Sequence, residues 1–244
     1  MHVDFRSNDS RGIMQGIRRN GDVNVESLIF QVATSQSMTY PGEKVAGILF
    51  FIAATQFLLS LNVAEALYPD FSVSGNYISD LGIGPSYMIF NSSVFLLGLL
   101  LLVGTYFLRR ASGYRTLNIM LILMAVGAMG VGVFTKDYRT AHGALASMAF
   151  FFGGLSAISS SRVLKKPLSL ISIILGLVTL VALALFSMGM YASGSLTSDI
   201  AYNSDFYLSL GPGGMEHMIV LPALVWLAGF SWHLLAQRET PTKE

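Results

Sequence analysis

Six long apolar stretches, separated by short polar connections, dominate the chain from Val45 onward. They run approximately from Val45 to Leu67, Ser86 to Leu108, Leu117 to Phe134, His142 to Ser160, Leu168 to Tyr191, and Glu216 to Leu235. Each falls within the roughly 17 to 25 residues that an α-helix needs to cross a hydrocarbon core about 30 Å thick. Gly, Ala and Ser recur among the Leu, Val, Ile, Phe and Met. That mixture suits close helix packing where lipid supplies no hydrophobic drive between helices. The pattern predicts an all-α polytopic membrane protein whose six transmembrane helices form one bundle over residues 45–236, with short tails at 1–44 and 237–244.

The first 37 residues lack this pattern. They contain no apolar segment long enough for a signal peptide, and their polar composition predicts a tail without stable contacts to the bundle. Two readings stay open: a cytoplasmic, disordered tail, or an upstream extension with Met38 as the true start. Pro41 to Lys44 already forms a polar lead into the first helix.

Composition supports lipid as the main solvent. The chain is 53% hydrophobic and 12% charged, with a mean hydropathy of +0.59, whereas a soluble domain carries about 25% charged residues. The net charge of +1 hides an asymmetry. Arg6, Arg11, Arg18, Arg19 and Lys44 precede the first helix; Arg109, Arg110 and Arg115 lie in the second connection; Arg162, Lys165 and Lys166 lie in the fourth; Arg238 and Lys243 follow the sixth helix. The other end has Lys136 and Arg139 alone of the 15 Lys and Arg, and it collects Glu65, Asp70, Asp80, Asp137, Asp199, Asp205 and Glu216. Basic residues are retained in cytoplasm, so both termini are expected there and the first, third and fifth connections outside, in a multi-pass protein of the cell membrane. No basic, aromatic-interleaved patch suggests nucleic acid as a partner. With no Cys there is no disulfide framework and no thiolate chemistry, and a metal would need His and carboxylates.

Ionisable groups are costly within a span, so their placement carries information. Glu65 ends the first span, Asn91 begins the second, His142 opens the fourth, and Glu216 and His217 open the sixth after the breaker "GPGG". Ser79 and Asp80 lie in the first outer connection, within "GNYISDLGIGP". All fall at one membrane level. In that connection Gly75, Gly82 and Gly84 are expected to permit tight backbone geometry, and Pro85 to launch the second helix. The turn is expected to fold over the mouth of the bundle, bringing Asp80 near His142 and Glu216 with Tyr77 at the headgroup boundary. Two carboxylates there call for a cation: protonated His142, Arg139 or a bound metal.

One account is structural. Asp80 and Glu216 cap backbone N–H groups at helix starts, and His142 bonds a loop carbonyl. Glu65 fits that account less well, because a negative charge at a helix C-terminus is unfavourable. It calls for Arg139, Lys136 or a His. The functional account makes the cluster an outward-facing site. Asp80, His142, Glu216 and Ser79 are its catalytic candidates, and Glu65, Tyr77, Asn91 and His217 its binding candidates. His142, Asp80 and Glu216 would be the ligands if a metal binds, although no HExxH spacing supports one. Three function classes follow: binding of a membrane lipid headgroup; a membrane-embedded hydrolase or transferase acting on a lipid-like substrate, with His142 as base and Ser79 as nucleophile or a metal-activated water; and an interaction subunit that contacts a protein partner through loop 192–215, with Asp199, Tyr202, Asp205 and Tyr207. No charge lies at mid-membrane, which argues against an ion channel or proton-coupled pump. Trp226, Trp232 and His233 are read as an inner interfacial belt.

The blocks "FFIAATQFLLSLNVAEALYPDFSVSGNYISDLGIGPSYMIFNSSVFLLG", "GVGVFTKDYRTAHGALASMAFFFGG" and "GPGGMEHMIVLPALVW" resemble the successive blocks of a prokaryotic six-helix membrane family catalogued as domain of unknown function 998. The "YISDLG" turn also resembles the "YISDTG" turn of the damage-regulated autophagy modulator family, eukaryotic six-helix membrane proteins. The first resemblance implies the six-helix fold and no particular activity. It also implies Arg more often than His at the position of His217, so a role demanding imidazole there does not follow from the family.

Overall fold

Six helices occupy the six apolar stretches in the computed structural model, which describes residues 42–109, 111, 113–192 and 205–236. They are α1 (Gly42–Leu67), α2 (Tyr87–Leu108), α3 (Arg115–Val133), α4 (Arg139–Ser160), α5 (Leu168–Ala192) and α6 (Gly211–Leu235). Each is long and apolar enough to cross a membrane, and among the described residues no strand occurs. This is a multi-pass membrane protein. The tail before residue 42 and the C-terminal tail from residue 237 lie outside the described residues.

Four helices begin earlier than their apolar windows, α3 by two residues, at Arg115 rather than Leu117. The helix of Glu43 and Lys44 starts at Gly42, α4 starts at Arg139 rather than His142, and α6 starts at Gly211 rather than Glu216. Hydropathy reports depth in lipid, whereas a first helical turn can stand in the headgroup region. The "GPGG" segment is therefore a helix start and not a break before one. Gly211 takes φ +73°, a left-handed conformation open to glycine, and Pro212 stands in the first turn, where a missing N–H costs nothing.

Each helix packs against its successor, and α6 returns to α1, closing a ring. Helix α6 also reaches across to α4. Half of the α6 span is buried inside the protein against 22% for α5, so α6 is the central strut and α5 the most lipid-facing member. At the end away from the first connection, Trp226 stacks on Phe230 with centroids 5.8 Å apart, and Phe50 stacks on the same ring at 6.2 Å. Trp226 is thus a core residue, only 2% exposed, and its indole N–H donates to the Ser160 hydroxyl at 2.9 Å. The belt reading fails for it because residues six apart stand about 120° apart around a helix. Trp232, on the other face, is exposed.

Two glycines set how α4 and α5 cross. A Cβ at Gly176 would stand 2.7 Å from the carbonyl oxygen of Gly154, so the backbones touch where no side chain fits. Nearby, Ser172 donates to the Ala157 carbonyl at 2.9 Å and lies 2.7 Å from the Ser160 hydroxyl. Helices α4, α5 and α6 are pinned together at this end. Gly176→Leu is expected to force α5 away from α4 and to cost about 1–3 kcal/mol through overpacking. Thermal unfolding in detergent reads this directly, and an unchanged midpoint would show that the crossing does not limit stability.

Candidate functional site

The polar cluster at the other end is organised by the 3-10 turn Ile78–Gly82, all five residues of which are buried. Buried backbone N–H groups must find acceptors, and the two carboxylates supply them. Asp80 Oδ2 accepts the Tyr77 N–H at 2.9 Å, and Glu216 Oε2 accepts the Ile78 N–H at 2.6 Å. Lys136, in the third connection, donates to Asp80 Oδ1 at 2.5 Å. Its ammonium also lies 4.4 Å from the centre of the Tyr77 ring, within cation–π range. The turn therefore folds over the mouth of the bundle as a strap fastened to α6 and to the α3–α4 connection.

The cation paired with Asp80 is Lys136, which was not among the cations expected there. His142 Nδ1 instead lies 2.8 Å from the Phe134 carbonyl oxygen, the loop-carbonyl arrangement of the structural account. Among the described residues no group of three or more His, Asp or Glu side chains is placed to hold a metal ion. His142, Asp80 and Glu216 form no such group among the described residues.

A second centre lies apart from the strap. His217 Nε2 stands 2.8 Å from Glu65 Oε1, and its Nδ1 stands 2.8 Å from the Gly213 carbonyl oxygen. A nitrogen facing a carbonyl must carry the proton, so the other nitrogen and Glu65 share one proton between them. This joins the end of α1 to the start of α6, with both side chains mostly buried. It supplies the partner that Glu65 was expected to need.

The binding candidates divide in the same way. Asn91 Nδ2 donates to the Gly82 carbonyl at 2.8 Å and so supports the strap from below. The Tyr77 ring meets Phe186 of α5 edge-on at 5.9 Å. Among the described glycines only Gly113 and Gly211 have positive φ, so Gly75, Gly82 and Gly84 are not needed for left-handed backbone. Two of them are needed for space: an added Cβ would meet the Asn91 side chain at Gly82 and the Tyr68 ring at Gly84. Helix α2 starts at Tyr87, two residues beyond Pro85. Of the loop 192–215, Asp199 and Tyr202 lie outside the described residues. Tyr207 is 1% exposed and packs near Phe186, so it is not presented to a partner. Burial pushes its phenol pKa up.

Two hollows flank the strap. A cleft of about 740 Å³ opens between α4 and α5, lined by Tyr77, Lys136, Arg139, Thr140, His142, Gly143, Phe150, Leu183, Phe186 and Met190 among others. A smaller apolar cavity of about 70 Å³ lies within the ring, bordered by Phe57, Phe90, Leu97, Met124 and Leu224. Ser79, His142, Ala146, Phe150 and Glu216 border both. Charge counting could have found Lys136 as a site residue, since it is one of two cations at an end otherwise without them. Phe186, Ser187 and Met190 carried no signal in a uniformly apolar helix.

The family described as "Protein of unknown function (DUF998)" matches residues 51–233, from within α1 to the last turns of α6. The chain belongs to that family. The DUF998 match encloses the strap, the Glu65–His217 pair and the whole cleft. No curated protein and no solved structure matches the chain.

Proposed function

We propose that this DUF998 protein binds a membrane amphiphile in the cleft between α4 and α5, on the extracytoplasmic side of the cell membrane. The observation that carries this reading is the polarity of the cleft along its depth. Lys136, Asp137, Arg139, Thr140 and His142 line it at the start of α4, with Glu216 and Met190 at the same end, and Ala146, Phe150, Leu183 and Phe186 line it deeper. A headgroup and the first part of an acyl chain have the same division. The volume of about 740 Å³ lies in the range of small-molecule sites, roughly 300–1,000 Å³. In this reading Asp80 and Glu65, which do not line the cleft, build its mouth, while Glu216 lines the cleft and holds the Ile78 N–H through Oε2.

Gly143 gives the test. It lines the cleft, and a Cβ there would meet nothing within 4 Å. Gly143→Leu is therefore expected to fill the cleft while leaving the bundle folded. Native mass spectrometry of the delipidated protein titrated with phospholipid should show at least about a tenfold loss of affinity, the effect of roughly 1.4 kcal/mol. Unchanged binding in the folded variant would sink the proposal.

The orientation rests on the distribution of Lys and Arg. Reporter fusions after Arg110 and after Lys165 are expected to read as cytoplasmic, and one within residues 197–207 as external. The inverse pattern would move the cleft to the cytoplasmic face.

A second reading, a lipid hydrolase, is favoured by one observation. Ser79, His142 and Glu216 border the same junction between the hollows, and the Phe134 carbonyl orients His142 through Nδ1, leaving Nε2 for general-base work. If it holds, purified protein cleaves an acyl ester and Ser79→Ala abolishes cleavage while lipid binding persists. Absence of turnover in wild type removes this reading.

A further inference from the structure

We infer that the cleft holds a primary ammonium group of its amphiphile against Glu216. This deepens the proposed function and rests on it. Glu216 is only 6% exposed and borders both hollows. Its Oε2 accepts the Ile78 N–H, whereas among the described residues no hydrogen bond reaches its Oε1 and no ion pair reaches its carboxylate. A buried carboxylate calls for a cation, or for enough donors to satisfy both oxygens. The protein supplies one donor. The other charged side chains that line the cleft differ from it: Lys136 is paired with Asp80, Arg139 has an interaction of its own within the protein, and Asp137 is exposed, where water and salt screen it. Glu216 is the buried charge of the cleft wall that a ligand can complete.

The polar atoms around it are complementary to donors. Ser79 and His142 border the same two hollows as Glu216. The Phe134 carbonyl faces His142 Nδ1, which therefore carries the proton of the neutral ring and leaves Nε2 as an acceptor. Ser79 is 8% exposed, and its hydroxyl has no partner among the described residues. Two acceptors and one hydroxyl fit a group that brings several N–H donors, and a primary ammonium brings three. A phosphoryl group offers acceptors alone and would find a single donor there. A trimethylammonium group carries the same charge as a primary ammonium but no N–H, so it satisfies neither Oε1 of Glu216 nor Nε2 of His142. The apolar residues deeper in the cleft, Phe150, Leu183 and Phe186, remain for the acyl chain.

The test uses the full-length protein, delipidated in detergent and titrated with dilauroyl phosphatidylethanolamine, its N-methyl and N,N-dimethyl derivatives, and dilauroyl phosphatidylcholine. The four share chains, phosphate and net charge and differ in the number of N–H donors. Phosphatidylethanolamine is expected to bind about tenfold more tightly than phosphatidylcholine, the effect of one charge-assisted contact, with the methylated lipids falling in order between them. Glu216→Gln keeps a carbonyl oxygen for Ile78 and puts an amide N–H where Oε1 stood, so it should abolish the preference by weakening phosphatidylethanolamine alone. Free ethanolamine that displaces phosphatidylethanolamine from wild type but not from Glu216→Gln would support ammonium recognition and show that a soluble amine also enters. Equal binding of the four lipids to wild type, or a preference that survives in Glu216→Gln, would overturn the inference. Gly143→Leu separates the two levels. If it blocks all four lipids and wild type shows no preference among them, only the ammonium assignment fails; if it blocks none, the cleft reading fails with it.

Discussion

His217→Ala is expected to destabilise the bundle by about 3–5 kcal/mol, the cost of breaking a buried charge pair by removing one partner. The substitution strands the Glu65 carboxylate at the end of α1, where the helix dipole already disfavours a negative charge. It also leaves the Gly213 carbonyl without its side-chain donor. Since the pair joins the first and last helices of the ring, its loss opens the seam between them. Thermal unfolding in detergent should show a clear drop in midpoint. Two further variants separate charge from packing. His217→Arg keeps a cation and donors for Glu65 and is expected to recover most of the stability, in accord with the Arg that the family resemblance implies here. Glu65→Gln combined with His217→Ala removes the stranded charge and should be more stable than His217→Ala alone. A double variant no better than the single one would mean that the charge of Glu65 is not what makes the pair matter.

Glu216→Ala is expected to cost about 2–3 kcal/mol, the value of a hydrogen bond to a charged or buried acceptor together with the penalty of the orphaned donor. The orphan is the Ile78 N–H, in a turn whose five residues are all buried. Without Glu216 the strap keeps its fastening to Lys136 but loses the one to α6. Glu216→Gln retains a carbonyl oxygen for Ile78 and should cost much less. The strap should therefore become accessible in Glu216→Ala before the bundle unfolds, measured as faster hydrogen exchange over residues 76–82. Exchange there that matches wild type would show that the turn is held by Asp80 and Lys136 alone.

How far the sequence reached differs between elements. The six spans were legible because lipid imposes one requirement on every residue of a span, and a window of apolar residues reports it directly. Their starts were less so: Arg139 and Gly211 begin helices outside the apolar window, where hydrogen bonding and not hydropathy sets the boundary. The demand of Glu65 for a cationic partner could be argued from the helix dipole, and His217 meets it. The convergence of Asp80 with His142 could not be decided that way. The shared level in the membrane fixes only one coordinate, while the positions around the ring come from the packing of α3, α4 and α6. The result is that Asp80 meets Lys136, and His142 turns to Phe134. The cleft was the least legible feature. It arises where α4 and α5 part beyond the Gly154–Gly176 contact, and no local pattern in "LVALALFSMGM" distinguishes residues that face a cleft from residues that face lipid.

The central claim is that a lipid occupies the cleft between α4 and α5, and site-resolved photocrosslinking tests it most directly. The protein, reconstituted in bilayers with a phospholipid bearing a diazirine near its glycerol, is irradiated, digested and mapped by mass spectrometry. The account predicts saturable adducts on residues 143–150 and 183–190 that disappear in Gly143→Leu. Adducts confined to the outward positions of α5, such as Leu170, Ile174, Leu177 and Val181, and unaffected by Gly143→Leu would contradict it.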